Sequence, residues 1–136
     1  MTTIQCNCGA VRLELSGEPI AQAYCHCDDC QAAHGAAYVP VAIFRLPDVR
    51  VVAGDPLLWK LKTTPRATCR ECGTRLFAEP PGLSIRGVMA LLLPQGMFKP
   101  AFHMQCQHAL LPVKDSLPHF KSFPAAFGGS DEQMPW

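Results

Sequence analysis

Eight cysteines in a chain of 136 residues are the feature that most restricts how this sequence can fold. A disulfide between cysteines only two positions apart would be strained, whereas sulfurs at that spacing can share a metal ion. The start of the chain also lacks the charged and apolar segments of an export signal, which argues against a secreted disulfide framework. We therefore expect metal binding by three groups, Cys6-x-Cys8, Cys25-x-Cys27-x-x-Cys30 and Cys69-x-x-Cys72.

The composition predicts a single globular domain over residues 1–136. Hydrophobic residues make up 49% of the chain and charged residues 17%, so a core is possible and general disorder is not expected. The net charge of +1 and the absence of a basic run argue against nucleic-acid binding. The longest apolar run, Val88–Leu93, is too short to cross a membrane. We expect a soluble, cytoplasmic protein.

The periodicity of apolar residues predicts mostly short strands. Val11–Ser16 alternates strictly, with valine and leucine side chains on one face, as in a half-buried strand. Ala37–Phe44 is rich in β-branched and aromatic residues, and Pro40 within it predicts an edge strand or a bulge. Val49–Val52 and Leu57–Lys62 are predicted to pair with each other across the intervening turn.

Helix is expected only in one short segment. The predicted helix runs from Asp28 to His34, and Gly35 follows it as a left-handed C-cap. It would place Cys30 one turn after Cys27. Residues 118–136 contain proline and glycine and are predicted to form an irregular tail. The expected fold is a small, mainly β domain with metal-stapled loops.

The first and third cysteine groups together supply the four ligands of a closed structural zinc site. A glycine follows each group, and glycine permits the backbone to bend so that N–H groups point at sulfur. Such a site would add directly to the free energy of folding. The predicted structural zinc ligands are Cys6, Cys8, Cys69 and Cys72.

The remaining group, Cys25, Cys27 and Cys30, offers three ligands, and three protein ligands with an open position are typical of a catalytic zinc site. Three thiolates around Zn²⁺ sum to a charge of about −1, which weakens the metal as a generator of hydroxide but still allows it to hold a thiolate. His34, four residues after Cys30, could move a proton or reach the open position. Cys106 is most simply a small buried side chain.

The ordered cysteine motifs resemble those of the glutathione-dependent formaldehyde-activating enzyme (Gfa) family, also called the centromere protein V/Gfa domain. The resemblance covers nearly the whole chain and implies a β-tent of two short antiparallel sheets with zinc at the loops. It also implies a carbon–sulfur lyase acting on S-hydroxymethylglutathione, the adduct of glutathione and formaldehyde. Cys6, Cys8, Cys69 and Cys72 match the structural zinc ligands, and Cys25, Cys27 and Cys30 match the catalytic ones. The residues that carry the resemblance are Cys6-Asn7-Cys8-Gly9-Ala10-Val11, Cys25-His26-Cys27-Asp28-Asp29-Cys30-Gln31, Gly35-Ala36, Cys69-Arg70-Glu71-Cys72-Gly73 and Asp115-Ser116-Leu117-Pro118-His119-Phe120.

Three functional hypotheses follow from these patterns. The first is an enzyme with two zinc ions that joins or separates a glutathione-like thiol and a small aldehyde. The second is a non-catalytic zinc module that binds a partner, in which His34 or Cys106 closes the second zinc site. The third is a redox or zinc-reservoir protein in which Cys25, Cys27 and Cys30 oxidise and release metal.

Overall fold

The computed structural model describes residues 1–136, and the chain is mainly β, with ten strands and one α-helix. Three-residue 3-10 turns occur at residues 46–48, 90–92, 106–108 and 125–127. No helix is long and apolar enough to cross a lipid bilayer. The strands are β1 (Thr2–Gln5), β2 (Arg12–Leu15), β3 (Ala21–Cys25), β4 (Val39–Arg45), β5 (Val49–Ala53), β6 (Leu57–Lys60), β7 (Pro65–Thr68), β8 (Arg75–Ala78), β9 (Ile85–Met89) and β10 (Phe102–Met104), and the helix is α1 (Asp28–His34).

The chain forms two compact units, and strand β4 passes from one to the other. The first unit comprises Met1–Ala21 and Ala42–Phe98, and the second comprises Gln22–Val41 and Lys99–Trp136. Each unit is therefore built from two separate stretches of sequence. The single domain over residues 1–136 stays a prediction.

The first unit contains a three-stranded antiparallel sheet in the order β1-β2-β5. Ile4 is opposite Leu13 in one pairing, and Leu13 is opposite Val51 in the next. Leu13 and Leu15 are fully buried, as the alternating pattern predicts, because every second residue of a strand points to the same face. These side chains belong to a core that also includes Phe44, Leu76 and Val88.

The first unit also contains the antiparallel run β9-β8-β7-β6, with β4 next to β9. Leu57–Lys60 pairs with β7, and Val49–Ala53 pairs with β2. The predicted pairing of β5 with β6 is therefore wrong. The physical reason lies at Gly54, where φ is +85° and a Cβ atom would be 2.2 Å from the carbonyl oxygen of Ala10, so the chain turns away from the hairpin path at this close approach.

In the second unit the strand order is β10-β3-β4. β10 pairs with β3 in parallel, a departure from the expected purely antiparallel sheets. Strand β4 has a neighbour on each side, so Pro40 does not mark an edge strand. Pro40 is the second residue of the strand, close to the end at which a missing N–H donor is best tolerated.

The helix and the tail of the second unit follow their predicted descriptions. α1 spans Asp28–His34, and Gly35 has φ 60° and ψ 39°, the left-handed C-cap that the sequence predicts. In the last nineteen residues the regular features are a 3-10 turn at Ala125–Phe127 and the isolated bridges His103↔His119 and Phe120↔Gln133.

Candidate metal centres

A four-cysteine cluster lies in the first unit, where two loops meet. Cys6 and Cys8 follow β1, and Cys69 and Cys72 lie in the turn between β7 and β8. The Sγ atom of Cys8 is 3.7 Å from that of Cys6 and 3.7 Å from that of Cys69. Ligands at a Zn–S distance of about 2.3 Å in a tetrahedron are separated by about 3.8 Å, so this sulfur set fits zinc. A disulfide would need about 2.0 Å.

The backbone of each loop bends around its first cysteine in the same way. The N–H of Gly9 donates to the carbonyl of Cys6, and the N–H of Gly73 donates to the carbonyl of Cys69, both at 3.0 Å. Both glycines have positive φ, 81° and 74°, which side chains disfavour. The N–H of Val11 also donates to Cys6 Sγ at 3.3 Å. This N–H···S contact from Val11 favours a thiolate at Cys6 and hence a metal ligand.

The thiol pKa values in this cluster shift in opposite directions at Cys72 and Cys8. The hydroxyl of Thr74, 2.9 Å from Cys72 Sγ, lowers the pKa of Cys72 to about 6. At Cys8 a backbone hydrogen bond from Ala10 acts to lower the pKa, but desolvation and the adjacent sulfurs outweigh it and raise the pKa to about 12. A thiolate at one sulfur thus makes ionisation of the neighbouring sulfur less favourable. A cation bound among the sulfurs would offset this repulsion.

A three-cysteine cluster lies in the second unit at the start of α1. Cys25 ends β3, Cys27 is the N-cap of α1, and Cys30 lies in its first turn. The Sγ atoms of Cys25 and Cys30 are 3.5 Å apart. Cys27 Sγ accepts a hydrogen bond of 3.1 Å from the N–H of Cys30. The cap that starts the helix therefore also fixes Cys27 and Cys30 relative to each other.

Neighbouring sulfurs dominate the electrostatics of this second cluster. Hydrogen bonds and charge repulsion from Cys27 and Cys30, together with burial, hold the pKa of Cys25 well above its ordinary value. The three sulfurs lie within 4.8 Å of one another, and no ligand atom of a histidine, aspartate, glutamate or further cysteine lies within that distance of all three. His34, at the far end of α1, and Cys106, buried in a 3-10 turn, are both outside the cluster.

The loop of this cluster is tied to the segment after β10. The side-chain amide of Gln31 donates to the carbonyl of His26 and to the carbonyl of His108, both at 2.8 Å. The N–H of His26 donates to the carbonyl of Met104 at 3.0 Å. The cysteines are thus carried by a loop whose backbone is held on both sides, as a preorganised ligand set requires.

Comparison with known proteins decides the family. A family model described as "Glutathione-dependent formaldehyde-activating enzyme" matches residues 1–109. The chain belongs to this family.

A solved structure of a Rhodobacter sphaeroides protein is similar to this Gfa family chain. The two sequences are 29% identical. The match covers 69% of this chain and 89% of the Rhodobacter sphaeroides chain, and the TM-score is 0.57. No curated protein matches the chain. The family match confirms the resemblance drawn from the cysteine motifs, and the two cysteine-rich clusters could each bind a metal ion.

The fold of this Gfa family chain also assembles a group that the sequence analysis did not predict. His103, Asp115 and His119 offer three ligand atoms within 4.8 Å of one another. His26 is fully buried, and its Nε2 is 2.9 Å from His103 Nδ1. The spacing of Asp115 and His119, four residues apart, is the only local signal, because His103 comes from a different part of the chain.

Proposed function

We propose that the protein is a zinc-dependent enzyme of the carbon–sulfur lyase type that acts on an adduct of glutathione, or a similar thiol, with a small aldehyde. The family supports a role related to glutathione and formaldehyde, and S-hydroxymethylglutathione is the corresponding adduct. The observation that carries the proposal is the convergence of three cysteine sulfurs in a group that no histidine, aspartate, glutamate or fourth cysteine joins. A set of three leaves room for a ligand from outside.

The proposed metal content is two zinc ions. Cys6, Cys8, Cys69 and Cys72 would hold a closed structural ion, and the spacing of their sulfurs supports this assignment. Cys25, Cys27 and Cys30 would hold the second ion, which when bound stabilises an incoming thiol as its thiolate. With Zn²⁺ the three thiolates would sum to a charge of about −1, which weakens the ion as a generator of hydroxide but leaves it able to hold the sulfur of a thiolate.

The reaction is an addition and its reverse. In the forward direction the thiolate sulfur forms a bond to the carbonyl carbon, the π electron pair of C=O moves to oxygen, and that oxygen takes up a proton. In the reverse direction the C–S bond breaks and the proton leaves the hydroxyl group. We assign the movement of this proton to His34, supported by its place one turn beyond Cys30 on α1.

The decisive experiment is a titration of the cobalt-substituted protein with glutathione. We expect a new thiolate-to-cobalt charge-transfer band in the wild type, because glutathione would add a further sulfur to the three-cysteine ion. Cys27→Ser should lose this response and keep the bands of the four-cysteine ion. A wild type whose spectrum does not change at millimolar glutathione would contradict the proposal and favour a non-catalytic binding module.

The role of His34 has a separate test. His34→Gln should lower kcat for adduct formation by at least about tenfold while zinc content stays unchanged, because a positioned proton carrier typically contributes at least that much. His108→Gln is the matched control, since His108 is an exposed histidine of the same unit. Equal kcat values for both variants would remove His34 from the mechanism.

The proposed location is the cytoplasm. All eight cysteines are free thiols. A reducing compartment keeps thiols in this state and leaves them available to metal.

A further inference from the structure

The group formed by His103, Asp115 and His119 has a geometry of its own. Asp115 presents one carboxylate oxygen to each ring: Oδ2 is 2.7 Å from His103 Nε2, and Oδ1 is 3.0 Å from His119 Nε2. All three residues belong to the second unit. Its ligand atoms form a group separate from both sulfur clusters, although His103 contacts His26, which lies between Cys25 and Cys27 in the chain.

The backbone holds the two histidines side by side. The N–H of His103 donates to the carbonyl of Pro118 at 2.8 Å, and the N–H of Phe120 donates to the carbonyl of His103 at 2.9 Å. The rings stack with centroids 4.6 Å apart and planes 28° apart. Asp115 is fixed as well, because its Oδ1 accepts the N–H of Leu117 at 3.0 Å. The three side chains are therefore preorganised by the fold.

One ring nitrogen of the group, His119 Nε2, lacks a hydrogen bond. His119 is 4% exposed, and its Nε2 forms no hydrogen bond, although Asp115 Oδ1 is 3.0 Å away. A buried ring nitrogen whose nearest acceptor lacks hydrogen-bond geometry loses part of the free energy of that bond. A cation shared with the Asp115 carboxylate would satisfy this nitrogen.

The charges of the group also suit a cation. Asp115 supplies two carboxylate oxygens, and a carboxylate is a common ligand of divalent ions. The side chain of Asp115 is 33% exposed, whereas His103 is fully buried, so a cation could enter from the Asp115 side.

The surroundings of His103 complete the pattern. Its second nitrogen, Nδ1, is 2.9 Å from Nε2 of the buried His26. A ligating histidine commonly engages a second group through its other nitrogen, which fixes the tautomer and the ring orientation. Two imidazole nitrogens and one carboxylate oxygen are also a donor set that divalent transition metals bind, with zinc and iron(II) as the usual occupants.

We propose that His103, Asp115 and His119 form a third metal site, which takes a divalent transition-metal ion of the zinc class and is separate from both cysteine clusters. The competing interpretation is that Asp115 serves only as a shared acceptor that orders two histidines. The two interpretations differ in whether the histidine nitrogens respond to metal.

The test uses the wild-type chain with its cysteine sites already filled with zinc. The imidazole nitrogens are observed by ¹⁵N NMR while further zinc is added. We expect the Nε2 resonances of His103 and His119 to move toward the range of metal-bound nitrogen, and that of exposed His108 to remain unchanged. Unchanged Nε2 resonances of His103 and His119 at saturating zinc would overturn the proposal without any variant.

Metal counting supplies an independent readout. His119→Phe keeps a buried ring in the stack but removes the nitrogen, and Asp115→Asn keeps the shape but removes the charge. We expect each variant to bind one zinc ion fewer per chain than the wild type by elemental analysis, with His108→Gln equal to the wild type. Folded variants with the full wild-type zinc count would contradict the third site, whatever the cysteine clusters bind.

Discussion

At the scale of single residues, the environment of each thiol decides whether it serves a metal or the core. Crowding by Cys27 and Cys30 raises the pKa of Cys25, so a proton and a metal ion compete for the same sulfur. Cys106 has no such partners: burial, with a smaller contribution from Asp115, raises its pKa to about 12. The sulfur of Cys25 is therefore suited to binding a cation, whereas Cys106 is suited to remaining a neutral, apolar side chain.

Cys27→Ser tests this division within the second unit. We expect the fold to persist and the ion of the three-cysteine cluster to be lost, because the hydroxyl can still cap α1 but is a poor zinc ligand. Zinc per chain, measured by elemental analysis alongside a circular dichroism spectrum, gives the answer. Cys106→Ala should keep the full zinc count, so equal counts in both variants would refute the assignment of the cluster.

The reactivity of Cys106 provides a second prediction at this scale. A pKa of about 12 leaves only about one thiol in ten thousand ionised at pH 8, and the side chain is 2% exposed. We expect iodoacetamide to leave Cys106 unmodified in the folded, zinc-loaded protein and to modify it fully in urea. Mass spectrometry of the peptide that contains Cys106 measures both states, and rapid labelling of the folded protein would disagree with the described burial.

At the scale of elements, Gly54 determines where strand β5 ends. Its φ of +85° is left-handed, and its Cα faces the carbonyl of Ala10 at a distance that leaves no space for a side chain. The chain therefore leaves the three-stranded sheet here and enters the other sheet as β6. A single glycine thus separates two strands that are adjacent in sequence.

Gly54→Ala should be strongly destabilising, whereas Gly17→Ala should not. The new methyl group at position 54 would meet backbone atoms of Ala10 and Val11, and we expect a loss of more than about 2 kcal/mol in the free energy of unfolding. Gly17 has φ +69° with nothing within 4 Å of the added Cβ, so only the backbone strain of about 1 kcal/mol remains. Urea unfolding in the presence of zinc measures both. Similar losses in the two variants would mean that the close approach is absent.

Elements with local signals were predictable, and pairings between distant segments were not. The bounds of α1 follow from Asp28, Asp29 and Gly35, which act within a few residues of the helix. The partners of β5 and β6, the interior position of β4 and the parallel pairing of β10 with β3 depend on chain paths that no local pattern encodes.

The same distinction applies to the candidate sites. The cysteine groups were recognisable because their members are two or three residues apart in sequence. The group of His103, Asp115 and His119 was missed because His103 meets the other two through a bridge between separate segments. Its detection required the backbone hydrogen bonds that place residues 118 and 120 beside residue 103.

At the scale of the whole molecule, the four-cysteine cluster joins the loop after β1 to the turn between β7 and β8, two elements of different sheets of the first unit. A metal ion at this position would restrict the chain far more than a local site would, because it closes a long loop. The stability of the first unit should therefore depend on this ion.

Cys69→Ser tests that dependence. We expect a loss of at least about 5 kcal/mol, enough to unfold the protein or to lower its Tm by tens of degrees, because structural zinc typically supplies about 10 kcal/mol or more of folding free energy. Differential scanning calorimetry with Cys27→Ser as the control measures the difference. Equal Tm values for the two variants would show that the first cluster does not support the fold.

The separation of Cys8 and Cys69 by 61 residues also has a consequence for biosynthesis. At about 5–20 residues per second, the ribosome needs about 3–12 s after adding Cys8 before Cys69 exists. During this interval the emerging polypeptide displays an unmatched thiol pair that oxidants and stray copper can attack. Correct loading of the metal would then depend on how well the cell protects these newly made cysteines from oxidation and from copper during those seconds.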